Sequence, residues 1–303
     1  MNKHLLKMAD LSKDDIIELL NLADQLKYEL SHGIPHRRLE GKTLGLIFQK
    51  SSTRTRVSFE TGMYQLGGNA LFLSSRDLQI GRGEPVQDTA RVLSRYLDGI
   101  MIRTFEQKEV EDLAKYGSIP VINGLTDYCH PCQVLADLMT IREYKGQFDG
   151  LKMCYIGDGN NMANSLIVGG LTVGMRVSVA CPEGYHPAAD VLEWTKQYGD
   201  SFELTADPVK AAADADVIFT DVWASMGQEG ESEKRRAVFE GIYQVNDAVM
   251  AVAKPDTMVQ HCLPAHRGEE ITADVFEAHA DEIFDEAENR LHAQKAVMVK
   301  LLG

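Results

Sequence analysis

The 303-residue sequence predicts an α/β fold of two doubly wound lobes, each a mostly parallel sheet flanked by helices, with long helices joining the lobes. Short apolar runs of strand length alternate with segments whose apolar residues recur at helical spacing. The alternation starts afresh in the second half, after a long helical segment that ends at Gly146. We therefore divide the chain into domains at 1–145 and 146–303, and expect a last helix at about 289–303 to pack back on the first domain.

Composition limits the classes of partner. Hydrophobic residues make up 44% and charged residues 25% of the chain, as in soluble globular proteins. Asp and Glu number 45 against 31 Lys and Arg, and the net charge of −14 argues against a nucleic-acid or anionic-membrane partner. The start of the chain has no apolar signal core, and no apolar segment reaches membrane-spanning length, so we predict a cytoplasmic location.

The first lobe opens with a helix that Ser12 and Asp15 cap in capping-box fashion, and whose apolar face belongs to the core. Strands are predicted at 43–48, 70–73, 99–103 and 120–123, and further helices at 57–66, 85–97, 106–116 and from 130 to about 146. The loops after these strands lie at the carboxyl edge of the sheet, where open α/β proteins bind ligands.

A tract of hydroxyl and guanidinium side chains, Ser51-Ser52-Thr53-Arg54-Thr55-Arg56, lies where the first strand ends and a helix begins. A helix N-terminus offers free N–H donors and the positive end of a dipole, and guanidinium groups match the geometry of phosphate. The tract therefore predicts a phosphate site. The plain alternative is that Ser and Thr cap the helix and that the arginines are solvated.

Other polar residues of this lobe also follow strand ends. The stretch 74–85 contains Gln79 and several turn-forming residues, which is typical of a loop that could reach over an anion. Arg103 ends the third strand, and His130 and Gln133 share one face of a helix start because they are three residues apart. The alternatives are a solvated arginine, a capping histidine and a polar surface glutamine.

The second lobe repeats the alternation. Strands are predicted at 152–157, 176–180, 202–205, 217–220, 258–261 and 282–284, and helices at 160–174, 188–198, 208–213, 246–253, 272–278 and 289–302. Asp221 leaves a buried strand, and the polar stretch 230–236 beyond it has the composition of a mobile lid or of a charged surface turn. Another strand ends in His261-Cys262-Leu263-Pro264, where a cysteine taken alone is more often structural.

The segment Gly157-Asp158-Gly159-Asn160-Asn161-Met162 follows a strand and opens a helix, which is the setting of a dinucleotide fingerprint. Met162 stands where the third glycine of that fingerprint belongs, so a nicotinamide dehydrogenase is the alternative rather than the leading hypothesis. Asn160 and Asn161 instead offer uncharged amides at a helix N-terminus, which suit a carboxylate.

The five cysteines, an odd number in a chain of this size, argue against structural disulfides. Cys129 and Cys132 have the C-x-x-C spacing of a redox or zinc motif. No second cysteine pair completes a zinc site, and a redox centre would leave the other motifs unexplained, so we do not favour either role.

Taken together, four motifs resemble those of the ornithine carbamoyltransferases, in order and over essentially the full chain: 52–56, His130-Pro131-Cys132-Gln133, Asp221 with Ser225-Met226-Gly227, and His261-Cys262-Leu263-Pro264. The first motif is shared with aspartate carbamoyltransferases and indicates carbamoyl phosphate. The acceptor is indicated by Ser-Met-Gly and by Cys-Leu-Pro, where the aspartate enzymes have Pro-Leu-Pro. Putrescine carbamoyltransferases resemble the chain elsewhere but lack Ser-Met-Gly.

The resemblance implies transfer of a carbamoyl group to the δ-amine of ornithine, with carbamoyl phosphate bound by 1–145 and ornithine by 146–303. The implied carbamoyl phosphate contacts are Ser52, Thr53, Arg54, Thr55, Gln79 from a neighbouring subunit, Arg103, His130, Gln133, Cys262, Leu263 and Arg290. The implied ornithine contacts are Asn161, Asp221, Ser225 and Met226, and the implied catalytic residues are Arg54, Arg103, His130, Asp221 and Cys262. Arg56 is left out because its role in the family is structural.

The resemblance also implies that no metal or organic cofactor is needed and that the chain forms a homotrimer or a multiple of trimers. An ornithine δ-amine resembles lysine, so presenting it neutral at pH 7 costs about 3.4 pKa units, or about 4.6 kcal/mol. Desolvation should lower that cost, with Asp221 and Cys262 orienting the amine. The same residues would serve citrulline synthesis and the reverse reaction, its phosphorolysis, so the sequence leaves the metabolic direction open. Beside the carbamoyltransferase and the dehydrogenase, a third hypothesis is a catalytically silent homologue that only binds a ligand or partner.

Overall fold

The computed structural model describes residues 3–76, 78, 83–224 and 229–303, and the chain forms two compact units. The first unit comprises Met1–Met139 and Glu288–Gly303, and the second comprises Thr140–Ala287. Within the described residues, no helix has both the length and the apolar character needed to cross a membrane.

The first unit is built on a four-stranded parallel sheet with the strand order β2-β1-β3-β4. The strands are β1 (Thr43–Phe48), β2 (Asn69–Ser74), β3 (Gly99–Arg103) and β4 (Val121–Leu125). The helices are α1 (Lys13–Ser31), α2 (Thr53–Gln65), α3 (Val86–Leu93), α4 (Gln107–Tyr116) and the start of α5 (Pro131–Lys145), after a short 3-10 helix at Met8–Asp10.

The two central strands of this sheet, β1 and β3, are almost entirely buried. Every residue of β3 is buried, as are all residues of β1 after Thr43, since both strands have neighbours on each side. In the register of the two strands Phe48 lies beside Arg103, so the tract after β1 and the arginine that ends β3 reach the same edge. The chain order reverses between β1 and β3, which makes this edge a topological switch point.

The second unit is built on a five-stranded parallel sheet with the strand order β7-β6-β5-β8-β9. The strands are β5 (Lys152–Ile156), β6 (Arg176–Ala180), β7 (Phe202–Thr205), β8 (Val217–Thr220) and β9 (Met258–His261). The helices are α6 (Asn161–Val173), α7 (Ala189–Thr195), α8 (Pro208–Ala212), α9 (Ser232–Phe239), α10 (Asp247–Met250), α11 (Ala273–Ala278) and the start of α12 (Ala280–Leu302), with a 3-10 helix at Lys196–Ser201 after α7. From Glu288 onward α12 belongs to the first unit. Here the switch point lies between β5 and β8.

The predicted fold class is confirmed, because both sheets are parallel and helices connect their strands. The strand predicted at 282–284 is wrong, since these residues lie in α12, which begins at Ala280 rather than at 289. The buried positions Ile283, Glu286 and Arg290 recur at helical spacing, but two of them are polar and escape a search for apolar periodicity.

Several helix bounds also differ from the expectations. The helix expected at 85–97 ends at Leu93, and the one expected at 246–253 is the four-residue α10. Most of the polar stretch 230–236, interpreted as a lid or a surface turn, belongs to α9. Its Phe239 and Arg235 are buried, so this segment contributes to the core of the second unit.

Candidate active site

The tract after β1 folds as the first turn of α2. Ser52 is the N-cap, and its Oγ accepts a hydrogen bond from the backbone N–H of Thr55 at 3.2 Å. Thr53 and Arg54 are the first two helical residues, and the first turn contains no acidic side chain. The positive end of a 13-residue helix is therefore combined with hydroxyl and guanidinium groups, which is the composition of an anion site.

Arg290 joins the start of α2 to the start of α5. Its Nη2 donates to Oγ1 of Thr55 at 3.2 Å, and its Nη1 donates to Oε1 of Gln133 at 2.6 Å. Gln133 in turn donates from Nε2 to Oδ1 of the buried Asp137 at 2.8 Å. Three residues predicted to contact carbamoyl phosphate thus meet in one network, although 235 positions of sequence separate Thr55 from Arg290.

His130 is buried among the cationic residues of this unit. Burial lowers its pKa well below the ordinary value of 6.5, and the positive charges of Arg290, Arg103 and Arg54 lower the pKa further. The imidazole is therefore neutral at physiological pH, and it can donate one hydrogen bond without adding a charge. Three guanidinium groups and a neutral donor give this edge of the sheet the electrostatics of a site for a dianion.

Gln294 is a residue of this network that sequence reasoning missed. Its amide oxygen accepts from Arg290 Nε at 3.1 Å and from Nη2 at 2.8 Å, and its nitrogen donates to Ser58 Oγ at 2.6 Å; the donor and acceptor ends are assigned from these partners. Gln294 lies one turn after Arg290 in α12. A buried glutamine in a C-terminal helix was the available signal, but nothing local distinguished it from a surface residue.

Lys50 was also missed, although it adjoins the tract. Its buried ammonium forms a salt bridge with Asp127 and lies 4.5 Å from the centre of the Phe105 ring. The pair therefore connects the segment before the tract to the segment before His130.

In the second unit, Asp221 lies directly after β8 and is buried. Its Oδ2 accepts from Asn160 Nδ2 at 2.8 Å, and its Oδ1 accepts from the backbone N–H of Val222 at 2.8 Å. Oδ1 also accepts from the Sγ of Cys262 at 3.1 Å. The carboxylate and the thiol predicted to face the ornithine amine are thus in direct contact, and Asn161 is the first residue of the neighbouring helix α6.

Three predicted site residues cannot be placed. Gln79 of the stretch 74–85, and Ser225 and Met226 of the Ser-Met-Gly motif, lie outside the described residues.

The glycines of the dinucleotide-like segment have a packing explanation. A Cβ on Gly159 would lie 2.3 Å from the backbone nitrogen of Pro187, and Gly157 has a φ of +144°. Asn160 caps α6, with its Oδ1 accepting from Met162 N at 2.9 Å. Close backbone approach and helix capping therefore account for the pattern without a dinucleotide.

Arg235 is a second-unit residue that the sequence did not single out. Its Nη1 donates to Asp158 Oδ2 at 2.6 Å and to the carbonyl of Trp223 at 3.0 Å. Burial raises the pKa of Asp158 above its ordinary value, and the charge of Arg235 partly offsets that rise. The pair fixes α9 to the segment that follows β5.

The five cysteines are all free thiols. Burial raises the pKa of Cys129 and of Cys132 to about 12, so neither thiol is a ready nucleophile. Asp221, His261 and Cys262 bring an oxygen, a nitrogen and a sulfur within 4.8 Å of one another. Both ring nitrogens of His261 have hydrogen-bond partners, Leu263 N and Glu270 Oε1, so this group does not fit a metal without losing one of them.

Comparisons with known proteins agree over the whole chain. Residues 3–143 match the carbamoyl-P binding domain, and residues 149–301 match the Asp/Orn binding domain, of aspartate/ornithine carbamoyltransferases. The chain is 57% identical to the ornithine carbamoyltransferase of Thermococcus kodakarensis, over 99% of this chain and 96% of that protein. It is 55% identical to the ornithine carbamoyltransferase of Geobacter metallireducens, over all of both chains.

Solved structures give the same result. Ornithine carbamoyltransferase from Pyrococcus furiosus superimposes with a TM-score of 0.92 at 56% identity, covering 97% of this chain and 95% of that one. The anabolic ornithine carbamoyltransferase of Campylobacter jejuni has a TM-score of 0.93 at 43% identity, covering 99% of both.

Proposed function

The chain belongs to the aspartate/ornithine carbamoyltransferase family, and we propose that it transfers the carbamoyl group of carbamoyl phosphate to the δ-amine of L-ornithine, giving L-citrulline and phosphate. One observation carries the donor half of this proposal. Arg54, Arg103 and Arg290 surround the neutral His130 beside a helix N-terminus at a switch point. That arrangement complements a phosphate dianion linked to a carbonyl. The choice of ornithine as acceptor rests on sequence identities of 57% and 55%, over nearly the full chain, to proteins named ornithine carbamoyltransferases.

In this proposal residues 1–145 bind carbamoyl phosphate, joined by Arg290. Ser52, Thr53, Arg54 and Thr55 bind the phosphate. Thr55, Arg103 and His130 hold the carbamoyl oxygen, Gln133 contacts the amide, and Gln79 comes from a neighbouring subunit. The hydrogen bonds from Arg290 to Thr55 and Gln133 support this assignment, because they gather residues of three elements.

Residues of 146–303 bind ornithine: Asn161, Asp221, Ser225 and Met226 hold the amino acid, and Cys262 and Leu263 contact the reacting region. The contact of Asp221 with the Cys262 thiol supports the assignment. A carboxylate favours the ammonium form of a nearby amine, so we assign Asp221 to orienting the substrate, and desolvation to favouring the neutral amine.

In the chemical step, the lone pair of the neutral amine forms a bond to the carbamoyl carbon, and the bond from that carbon to the phosphate oxygen breaks. The attacking nitrogen gives up one proton, which the departing phosphate takes, so the products are citrulline and hydrogen phosphate. Negative charge develops first on the carbamoyl oxygen and then on phosphate. A neutral His130 donates to the first charge, as Arg103 and Thr55 do, while Arg54 and the N-terminus of α2 stabilise the departing phosphate.

We further propose a homotrimer or a multiple of trimers. The apolar side chains of Val57, Tyr64, Leu71 and Phe72 on α2 and β2 are exposed, which supports burial against a second copy. The donation of Gln79 across subunits has a direct test. Inactive Arg54→Ala and Gln79→Ala proteins, mixed and reassembled, should regain activity at sites built from the intact parts of each; no recovery would contradict the sharing.

We propose the direction of citrulline synthesis, since the relatives from Pyrococcus furiosus and Campylobacter jejuni are named anabolic. Measured kinetics in both directions test this, and faster phosphorolysis of citrulline at matched saturation would reverse it.

The deciding experiment is a ureido-product assay with carbamoyl phosphate and one acceptor at a time: ornithine, N-acetylornithine, putrescine or aspartate. Ornithine alone should be carbamoylated at a useful rate. If putrescine is preferred, the second-unit assignments fail while those of the first unit remain. If no acceptor reacts, the protein is the catalytically silent homologue.

A further inference from the structure

The loop after β9 contains a backbone conformation that its residue type disfavours. Leu263 has a φ of +57°, in the left-handed region of backbone conformation, which residues other than glycine rarely adopt. Under the proposed function, Leu263 and its neighbour Cys262 contact the reacting region. A disfavoured conformation at such a position persists only where surrounding groups hold it.

His261 provides the hold on one side. The backbone N–H of Leu263 donates to Nδ1 of His261 at 2.9 Å. Because a ring nitrogen that accepts a hydrogen bond carries no proton, the proton of the neutral imidazole is on Nε2. Nε2 lies 3.1 Å from Oε1 of Glu270 and donates to it, and the side chains of both residues are fully buried.

Both ends of this bridge are anchored. The backbone N–H of His261 donates to Glu286 Oε2 at 2.9 Å. Oε1 of Glu270 also accepts from the backbone N–H of His266 at 2.5 Å, and the carbonyl of Glu270 accepts from Val245 N at 2.8 Å. The imidazole therefore links the start of the loop at 262–263 to its end at Glu270.

We propose that His261 and Glu270 are a positioning pair, which fixes the Leu263 backbone and thereby holds the Cys262 thiol on Asp221, and so controls productive binding of ornithine. The thiol donates to Asp221 Oδ1 at 3.1 Å, which is the contact that displacement of the loop would break. The inference rests on the proposed function for its substrate. Neither member of the pair touches the reacting atoms.

Two substitutions separate the halves of the bridge. In His261→Asn, the amide oxygen takes the place of Nδ1 and can still accept from Leu263 N, while the donor to Glu270 is lost. In His261→Gln, the longer amide reaches Glu270 and the acceptor for Leu263 is lost. His279→Gln is the matched control, because His279 also contacts a carboxylate of this unit, Glu282 at 2.8 Å.

The readouts are kcat/KM for ornithine, KM for carbamoyl phosphate, and the thermal midpoint. We expect His261→Gln to lower kcat/KM for ornithine by about 10- to 100-fold, the effect of losing a positioned hydrogen bond, with KM for carbamoyl phosphate unchanged. His261→Asn should retain most of the wild-type value, and His279→Gln should match wild type. If the Asn and Gln variants lose equally, or both substrates are affected alike, the pair is only structural and the proposal is overturned.

A second measurement does not depend on the reaction. Of the five cysteines, Cys262 alone is partly exposed, so a thiol reagent such as iodoacetamide labels it first. Release of the loop in His261→Gln should raise the labelling rate of Cys262 several-fold over wild type and over His261→Asn. An unchanged rate would refute the positioning role even if ornithine proved not to be the substrate, whereas a raised rate with no carbamoylation by wild type would count against the proposed function alone.

Discussion

The first unit gathers three guanidinium groups around a neutral imidazole, whereas the second gathers an asparagine, a carboxylate and a thiol that follow β5, β8 and β9. The two sheets nevertheless share two features, although one has four strands and the other five. Each is parallel, and each places these residues at the edge where its strand order reverses. The difference in charge therefore comes from the side chains after the strands and not from the topology.

Helix capping shows the contrast on a small scale. Ser52 caps α2 with a short hydroxyl and is followed by Thr53 and Arg54, so the cap leaves the helix end positive and open to an anion. Asn160 caps α6 with its Oδ1, and its Nδ2 donates to Asp221 Oδ2. The first edge therefore presents positive charge, and the second presents a carboxylate; under the proposed function these suit an anionic ligand and an amine.

Arg54→Ala should have the largest effect, because it removes the cation assigned to the departing phosphate. We expect kcat in the ureido assay to fall by about 10³-fold, as when a transition-state charge loses a donor. Arg91→Ala is the control, since Arg91 is exposed and pairs with Asp88 on α3. Near-wild-type turnover in Arg54→Ala would remove the first unit from the proposed chemistry.

Asp221→Asn tests the second unit, to which the proposal assigns ornithine. We expect kcat/KM for ornithine to fall by about 10²-fold, because a charged acceptor for the amine and for the Cys262 thiol becomes neutral. KM for carbamoyl phosphate should be unchanged. Asp247→Asn, at an exposed helix start of the same unit, is the control. A comparable rise in KM for carbamoyl phosphate would mean that the two edges do not divide the substrates.

The pH dependence of kcat tests whether the His130 imidazole, the proposed hydrogen-bond donor of the first unit, is neutral. Because its native pKa lies well below 6.5, kcat at saturating substrates should show no imidazole titration as the pH falls from about 7 to about 6. His130→Asn, which keeps an N–H donor, should lose roughly tenfold in kcat at every pH in that range. An inflection near pH 6.5 in wild type that disappears in the variant would show a charged imidazole instead.

The lowered pKa of His130 should also make the free energy of unfolding depend on pH. In the unfolded chain His130 takes up a proton below about pH 6.5, and in the folded chain it does not. The free energy of unfolding therefore falls as the pH drops below that value, and His130→Asn should weaken this dependence.

The sequence predicted these edges unequally. Strands such as β1 and β3 are continuous apolar runs bounded by turn residues, so their ends, and the polar residues that follow them, could be located. The tract at 51–56, Arg103 and Asp221 were singled out as candidates in this way. Local pattern suffices to locate a polar side chain that lies beside a strand end.

Residues that act over long sequence separations were harder to find. Arg290 was identified only through the resemblance, because α12 buries Glu286, Asn289, Arg290 and Gln294 alongside its apolar residues. Arg235 was missed for the same reason, since a lone arginine in a charged segment looks solvated until its partner Asp158 is known. Buried polar groups are placed by tertiary partners, and a sequence window does not contain those partners.

The smallest prediction extends the comparison from the site to the core. In the second unit the buried Arg235 is paired with a carboxylate, Asp158, whereas the buried Lys295 of the first unit contacts His36 Nε2 at 2.8 Å and Gln65 Oε1 at 3.0 Å. Burial lowers the pKa of Lys295 to about 8, an effect that Arg38 increases and Glu29 opposes.

Below about pH 8 both the folded and the unfolded chain hold the Lys295 proton, and above it the folded chain releases the proton first. The unfolded state then binds more protons, so the free energy of unfolding rises with pH, by about 1 kcal/mol between pH 8 and pH 9. Lys295→Met should lack this rise in urea titrations, while Lys254→Met, which removes a lysine paired with Asp216 at 2.7 Å, should keep it. Equal slopes in wild type and Lys295→Met would mean that the ammonium is stabilised as well as those of the second unit, and the contrast between the units would then be confined to their ligand-binding edges.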